Sequence, residues 1–137
     1  NDSFKNRSDD KGPEPEAVNI ASIGGEIYAF IGLERIGGIL TYNISDPRAP
    51  FFVDYVNNRN FDADPETRET GDLGVEDIIY IPAADSPTGA DLVVTANEVR
   101  GTLTLISVGA PTTAPAAATH LAAAPRRGIP QSDNPTL

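Results

Sequence analysis

Residues 12–44 read GPEPEAVNIASIGGEIYAFIGLERIGGILTYNI, and this stretch decides the fold. Its apolar segments are separated by Gly-Gly and by an Arg-Ile-Gly-Gly step, both typical of tight turns between antiparallel strands. The pattern therefore predicts an antiparallel meander of three strands, at Ala17–Ile23, Glu26–Leu33 and Gly38–Ile44.

Two glutamates flank the predicted strands. Glu16 precedes the first strand and Glu34 follows the second. In an antiparallel pair, the start of one strand and the end of the next lie at the same edge. We therefore expect both carboxylates on one rim of the sheet.

The same pattern occurs again later in the chain. Glu76 stands in the second copy where Glu16 stands in the first, and Glu98 stands where Glu34 does. The two copies differ in length by a short insertion in the turn 84–90, where extra residues cost little. The repeat predicts three more strands, at Val75–Pro82, Asp91–Asn97 and Thr102–Val108.

A fourth, outermost strand is predicted for the first unit at Pro50–Val56, where the two faces alternate cleanly. No such strand follows Val108. Radial repetition of small sheets predicts an all-β fold of two antiparallel β-propeller blades. Since two blades cannot close a ring, we expect a fragment of a larger propeller, with a complete seven-stranded two-sheet sandwich as the alternative.

The predicted organisation has five parts. They are a polar arm at 1–12, a blade at 13–57, an acidic loop at 58–74, a second blade at 75–108 and an Ala/Pro-rich tail at 109–137. The loop contains Asp62, Asp64 and Glu66, which resemble the first ligands of a calcium loop. It is not an EF-hand, because Thr67 and Leu73 stand where that motif needs glycine and glutamate, and a solvated acidic loop is the alternative.

The net charge of the chain limits the classes of partner that we expect it to bind. A formal net charge of −10 disfavours nucleic acid and anionic membranes and favours cations. The chain contains no cysteine, no secretory leader pattern and no apolar run of about twenty residues, so we expect no membrane span.

Carboxylates are the side chains of this sequence best suited to ligand binding or catalysis. The single histidine, His120, lies in the tail, and no nucleophile motif is present. Oxygen ligands at equivalent strand ends suit a hard cation, which takes 6–8 of them. We therefore predict a calcium site built from Glu16, Glu34, Glu76 and Glu98. Alternatively, the same carboxylates hydrogen-bond the backbone amides of the next blade.

Longer motifs resemble a known family. SDDKGPEPE (8–16) with YAFIGLERIGGILTYNISDP (28–47), and DLGVE (72–76) with IPAADSPTGADLVVTANEV (81–99), resemble the C-terminal part of choice-of-anchor I propellers. This family is also called mesenchyme-specific cell-surface glycoprotein-like, and many members carry an alkaline-phosphatase label. The chain is also similar to calcium-dependent β-propeller phytases, in which Glu16 and Glu34 match calcium ligands. Ala17 and Arg35 depart from that pattern by replacing a glycine and an acid.

The resemblance implies a C-terminal fragment of a seven-bladed propeller, secreted to the periplasm, the extracellular space or the cell surface. Its partner would be the remaining blades. The implied function is metal-dependent hydrolysis of phosphate esters, with Arg35 and Arg100 facing phosphate oxygens. The alternative is a non-catalytic cell-surface or extracellular matrix propeller.

Overall fold

A computed structural model describes residues 10–64 and 66–109, which form two antiparallel sheets. Within these ranges there is no α-helix, only a short 3-10 helix at Arg68–Thr70. The all-β prediction is confirmed, and every predicted strand end lies within two residues of the observed one. The strands are β1 Pro15–Ile23, β2 Glu26–Leu33, β3 Ile39–Asn43, β4 Phe51–Val56, β5 Val75–Ile81, β6 Asp91–Asn97 and β7 Thr102–Val108.

Sheet A contains β1 to β4 and sheet B contains β5 to β7, each in sequential order. The turn between β1 and β2 is Gly24-Gly25, with φ angles of 62° and 87°. Glycine adopts these angles without a Cβ penalty, and such turns match the twist of a hairpin. The polar arm and the tail predicted at the two ends fall largely outside the described residues.

The sequence repeat is visible in the hydrogen-bonded register. In sheet A, Pro15 pairs with Leu33 and Ala17 with Gly32, so Glu16 forms a β-bulge. In sheet B, the equivalent pairs leave Glu76 in a bulge at the same place. A bulge redirects a side chain at the end of a strand. Both sheets therefore present a glutamate at the same edge.

The core lies between the two sheets. It combines large side chains of sheet A with β-branched side chains of sheet B, among them Tyr28, Phe30, Ile39, Val75, Ile78 and Val93. Gly32 lies in close contact with sheet B, since an added Cβ would stand 2.6 Å from Val75 Cγ1. Only glycine permits the sheets to meet so closely at this point.

The two sheets stack head to tail, which means that non-equivalent faces of the two repeat units meet. Cross-strand pairing places the inner face of sheet B on Ile78, Val93 and Ile106. Their repeat equivalents in sheet A are Val18, Ala29 and Tyr42, which share the outer face of sheet A. Sheet B therefore packs through the face that sheet A turns outward.

The acidic connection between the sheets is tied down at both ends. Arg59 Nη1 donates to the carbonyl oxygen of Arg35 at 2.7 Å, which attaches the connection to the rim of sheet A. Asp72 accepts hydrogen bonds from Thr104 and, at 2.7 Å, from Thr102, both in β7. The connection thus links the two sheets. No helix in the described part of the chain is long and apolar enough to cross a membrane.

Candidate metal centre

The candidate centre lies where β1 begins and β2 ends. The backbone ladder continues past both strands, since the Glu34 amide donates to the Glu14 carbonyl at 2.8 Å. The Arg35 amide likewise donates to the Pro13 carbonyl at 3.1 Å. These bonds hold the entry segment against the end of β2 and bring its acidic side chains to Glu34.

Three glutamates come together at this rim. One carboxylate oxygen from each of Glu14, Glu16 and Glu34 lies within 4.8 Å of the others. The side chains of Glu14 and Glu34 are only 19% and 12% exposed. Hard cations such as calcium favour several carboxylate oxygens held in this way. Glu16 and Glu34 were predicted from the sequence, whereas Glu14 was missed.

Glu14 has an unusual backbone. Its φ is 52°, and it is the single non-glycine residue with positive φ among the described residues. The repeat equivalent is Gly74, with φ 74°, whose carbonyl accepts the amide of Glu98 just as that of Glu14 accepts Glu34. The chain thus carries a carboxylate where its second unit uses glycine. Aligning the two copies of the repeat on Glu16 and Glu76 pairs Glu14 with Gly74, and this was the available signal.

Two cations neutralise part of the cluster. Arg35 Nε lies 2.6 Å from Glu14 Oε2 and 3.2 Å from Glu34 Oε2. Lys11 Nζ lies 3.0 Å from Glu14 Oε1. The hydrogen bond from Arg35, followed by that from Lys11, lowers the pKa of Glu14 from 4.5 to about 2. Glu14 is therefore ionised across the physiological range.

Glu34 behaves in the opposite way. Its hydrogen bond with Glu14 requires a proton, and this bond raises the pKa of Glu34, with a further rise from burial. A cation bound by both carboxylates would take the place of that proton.

Sheet B provides a second acidic pair on the same rim. Glu76 is hydrogen-bonded to Glu98, which raises the pKa of Glu76. The charge of Glu16 raises that pKa further, so the pair is electrostatically continuous with the cluster of sheet A. Of the four predicted ligands, the structure places Glu16 and Glu34 in the cluster with Glu14, whereas Glu76 and Glu98 form a separate pair on sheet B.

The two predicted phosphate-binding arginines lie in different surroundings. Arg35 is part of the glutamate cluster. Arg100 is half-buried, and its Nη2 donates to the hydroxyl of Thr70 in the 3-10 helix. Thr70 is only 1% exposed, so this bond fixes Arg100 against the connection. Phosphate binding by these residues stays a prediction.

Comparison with known proteins gives two findings. Residues 1–47 match the family model of the choice-of-anchor I domain. The chain is also similar to Gigasin-3a of Magallana gigas, with 31% identity over 117 residues, or 78% of this chain and 40% of that protein. The chain thus spans less than half the length of this curated relative. The choice-of-anchor match indicates an extracellular, surface-associated protein. No solved structure matches.

Proposed function

We propose that this chain is a section of an extracellular, surface-associated β-propeller whose rim binds calcium. The observation that carries the proposal is the convergence of Glu14, Glu16 and Glu34, with carboxylate oxygens within 4.8 Å of one another. Calcium takes 6–8 oxygen ligands, and the three carboxylates supply at least one each. Water supplies the remainder.

The backbone of Glu14 supports this proposal. A non-glycine residue with positive φ places Cβ close to the following carbonyl oxygen and is disfavoured. Such conformations concentrate at functional sites, where the surrounding structure maintains them. Here the conformation directs a carboxylate to Glu34, while Gly74 serves the same backbone without any side chain. A ligand bound by the Glu14 carboxylate would explain why a strained non-glycine residue occupies this position.

Calcium titration of the full chain by calorimetry tests the proposal. We expect binding with a dissociation constant of about 10⁻⁴–10⁻³ M, as in extracellular calcium modules. Glu14→Gln and Glu34→Gln should each abolish it. Glu26→Gln is the matched control, because Glu26 loses the same charge at the opposite end of β2, beside Asn43 and Ser45. Equal binding by all four proteins would contradict the proposal.

The head-to-tail stack favours a propeller section over a closed sandwich. In a closed two-sheet sandwich, the outer faces are solvated and polar. Here the outer face of sheet A exposes Val18 and Ile20 by 63% and 61%, and that of sheet B exposes Leu103 and Leu105 by 71% and 58%. Further blades of a longer protein would cover both faces. The remaining blades are therefore the proposed partner.

A second candidate function is hydrolysis of phosphate esters. The observation that favours it is the position of Arg35, whose guanidinium lies within 3.2 Å of two cluster carboxylates. An ester bound beside a calcium ion there would meet a group suited to phosphate oxygens. Release of phosphate from a generic aryl phosphate by the complete propeller, lost on chelation and in Arg35→Gln, would support hydrolysis. Calcium-dependent stability without turnover would support the non-catalytic surface role.

A further inference from the structure

The Arg35 side chain contacts two of the three candidate calcium ligands. Its Nε lies 2.6 Å from Glu14 Oε2 and 3.2 Å from Glu34 Oε2. Lys11 Nζ lies 3.0 Å from the other carboxylate oxygen of Glu14. Both oxygens of Glu14 therefore already contact a positively charged side chain. A calcium ion that used Glu14 Oε2 would have to take the place of the Arg35 guanidinium.

The ion pair between Glu14 and Arg35 occurs in the first repeat unit and not in the second. The repeat equivalent of Glu14 is Gly74, and that of Arg35 is Val99. An added Cβ at Gly74 would stand 2.8 Å from Val99 Cγ2, so these two positions are neighbours in sheet B as they are in sheet A. The acid and the arginine thus occur together in one unit and are both replaced in the other. Arg35 is therefore associated with the carboxylate of Glu14 and not with the rim in general.

The backbone of Arg35 is fixed, whereas its side chain can leave the cluster. The Arg35 amide donates to the Pro13 carbonyl at 3.1 Å, and the Arg35 carbonyl accepts from Arg59 Nη1 at 2.7 Å. The side chain is 44% exposed, so rotation of the guanidinium into solvent uncovers no core residue. A charged group tethered in this way competes for its site at a high effective concentration.

We infer that Arg35 is a built-in competitor of calcium that lowers the calcium affinity of the rim, an inference that rests on the proposed function. Glu14 Oε2 contacts either the guanidinium or the calcium ion. The apparent affinity for calcium is therefore reduced by the fraction of molecules in which Arg35 has left the cluster. After displacement, the nearby positive charge still repels the bound ion.

Calcium titration by calorimetry of the full chain and of Arg35→Val tests the inference. Valine is the residue that the second repeat unit carries at this position. Arg35→Val should bind calcium about tenfold more tightly than the unmodified chain, because both the competition and the repulsion are removed. Arg35→Gln keeps most of the length of the side chain and should show the same gain. Arg35→Lys keeps the positive charge and should bind calcium like the unmodified chain.

The matched control is Arg48→Val. Arg48 is an exposed arginine in the turn between β3 and β4, at the end of sheet A opposite the rim. Its loss removes the same charge, and salt screens that charge over such a distance, so calcium affinity should change by less than about twofold. Thermal unfolding in chelator verifies that each variant is folded.

The direction of the change is decisive, because damage to the site would weaken binding and not strengthen it. Equal or weaker binding by Arg35→Val and Arg35→Gln, with binding retained by the unmodified chain, overturns the inference and leaves the calcium proposal intact. Binding by these two variants alone supports the inference and excludes calcium binding by the unmodified chain. If none of the three proteins binds calcium, both the inference and the proposed function are wrong.

Discussion

Glu16 and Glu76 occupy the same place in two different sheets, each as the bulged residue of its sheet's first strand. They lie close enough for the charge of Glu16 to raise the pKa of Glu76. The bulges and the head-to-tail stack together align the acidic ends of both sheets along one rim. The rim is therefore a product of repetition, and its special feature is the additional acid, Glu14.

Substitutions at Glu14 distinguish the effect of its backbone conformation on stability from the effect of its charge. Glu14→Ala should be less stable than Glu14→Gly by several degrees in Tm, because alanine keeps the disfavoured positive φ and glycine does not. Both variants lose the ion pairs with Arg35 and Lys11. Both should also lose calcium binding. Thermal unfolding measures the difference, and equal Tm values would contradict strain at this residue.

The proton shared by Glu14 and Glu34 predicts a pH dependence. The raised pKa of Glu34 means that this group favours folding below its ordinary value of 4.5 and that the benefit is lost as pH rises above it. Glu14 has the opposite sign, since its pKa of about 2 favours folding above 4.5 and the benefit is lost between 4.5 and 2.

Glu34→Gln should therefore raise Tm at neutral pH by a few degrees in the absence of calcium, because the amide donates to Glu14 without needing a proton. The gain should vanish near pH 4, where Glu34 itself holds a proton. Calcium binding to the unmodified chain should release protons and strengthen as pH rises. Titrations in two buffers of different ionisation enthalpy measure that release. Binding that is independent of pH would exclude Glu34 as a ligand.

Close packing of the sheets predicts that Gly32→Ala is destabilising. The new Cβ would stand 2.6 Å from Cγ1 of Val75, which is itself only 2% exposed and has no room to move. Overpacking of this kind costs about 1–3 kcal/mol. The reverse change at the equivalent position, Ala96→Gly, should cost about 0.5–1 kcal/mol through chain entropy alone. Urea unfolding compares them, and a neutral Gly32→Ala would mean that the sheets are less tightly packed.

Much of the fold could be predicted because local sequence patterns determine it. Glycine pairs mark the turns, and the internal repeat aligns Glu16 with Glu76 and Glu34 with Glu98. The relative placement of the sheets could not be predicted in this way. It depends on which face of each sheet is buried, and apolar residues occur on both faces of β1 and β2.

The contacts at the rim were only partly predictable, because they too depend on tertiary structure. Arg35 was expected to face phosphate, but its nearest partners are Glu14 and Glu34. That contact with Glu14 spans 21 residues of sequence and depends on the left-handed turn before β1. The connection was expected to be either functional or solvated. Its attachment through Arg59 and Asp72 is a tertiary contact that no local pattern indicates.

Asp72 should be important for joining the connection to sheet B. It accepts hydrogen bonds from Thr104, from Thr102 at 2.7 Å and from Asn58 at 2.5 Å. Burial raises its pKa, but these bonds, led by that of Thr104, outweigh burial and leave the pKa below 3.8. Asp72→Ala should cost about 2–3 kcal/mol, since three donors lose a charged acceptor.

The matched control for Asp72→Ala is Asp62→Ala, in the exposed part of the same connection, which should change stability by less than about 0.5 kcal/mol. The lowered pKa of Asp72 means that its contribution is present above pH 3.8 and is lost as pH falls further. Urea unfolding at neutral and acid pH should therefore show a deficit that shrinks in acid. A deficit that is constant with pH would exclude the carboxylate as its source.

The environment of Tyr80 predicts how the stability of the chain changes at alkaline pH. Burial, followed by the hydrogen bond from its hydroxyl to Asp91 Oδ1 at 2.7 Å, raises the pKa of Tyr80 to about 12. A raised pKa means that stability is lost as pH rises from 10 towards 12. In an ultraviolet titration of the four tyrosines, one component should therefore ionise late, and Tyr80→Phe should remove it. Asp91→Asn should move that component part of the way back, because burial remains while the negative charge is gone. A late component that persists in Tyr80→Phe would assign it to another tyrosine.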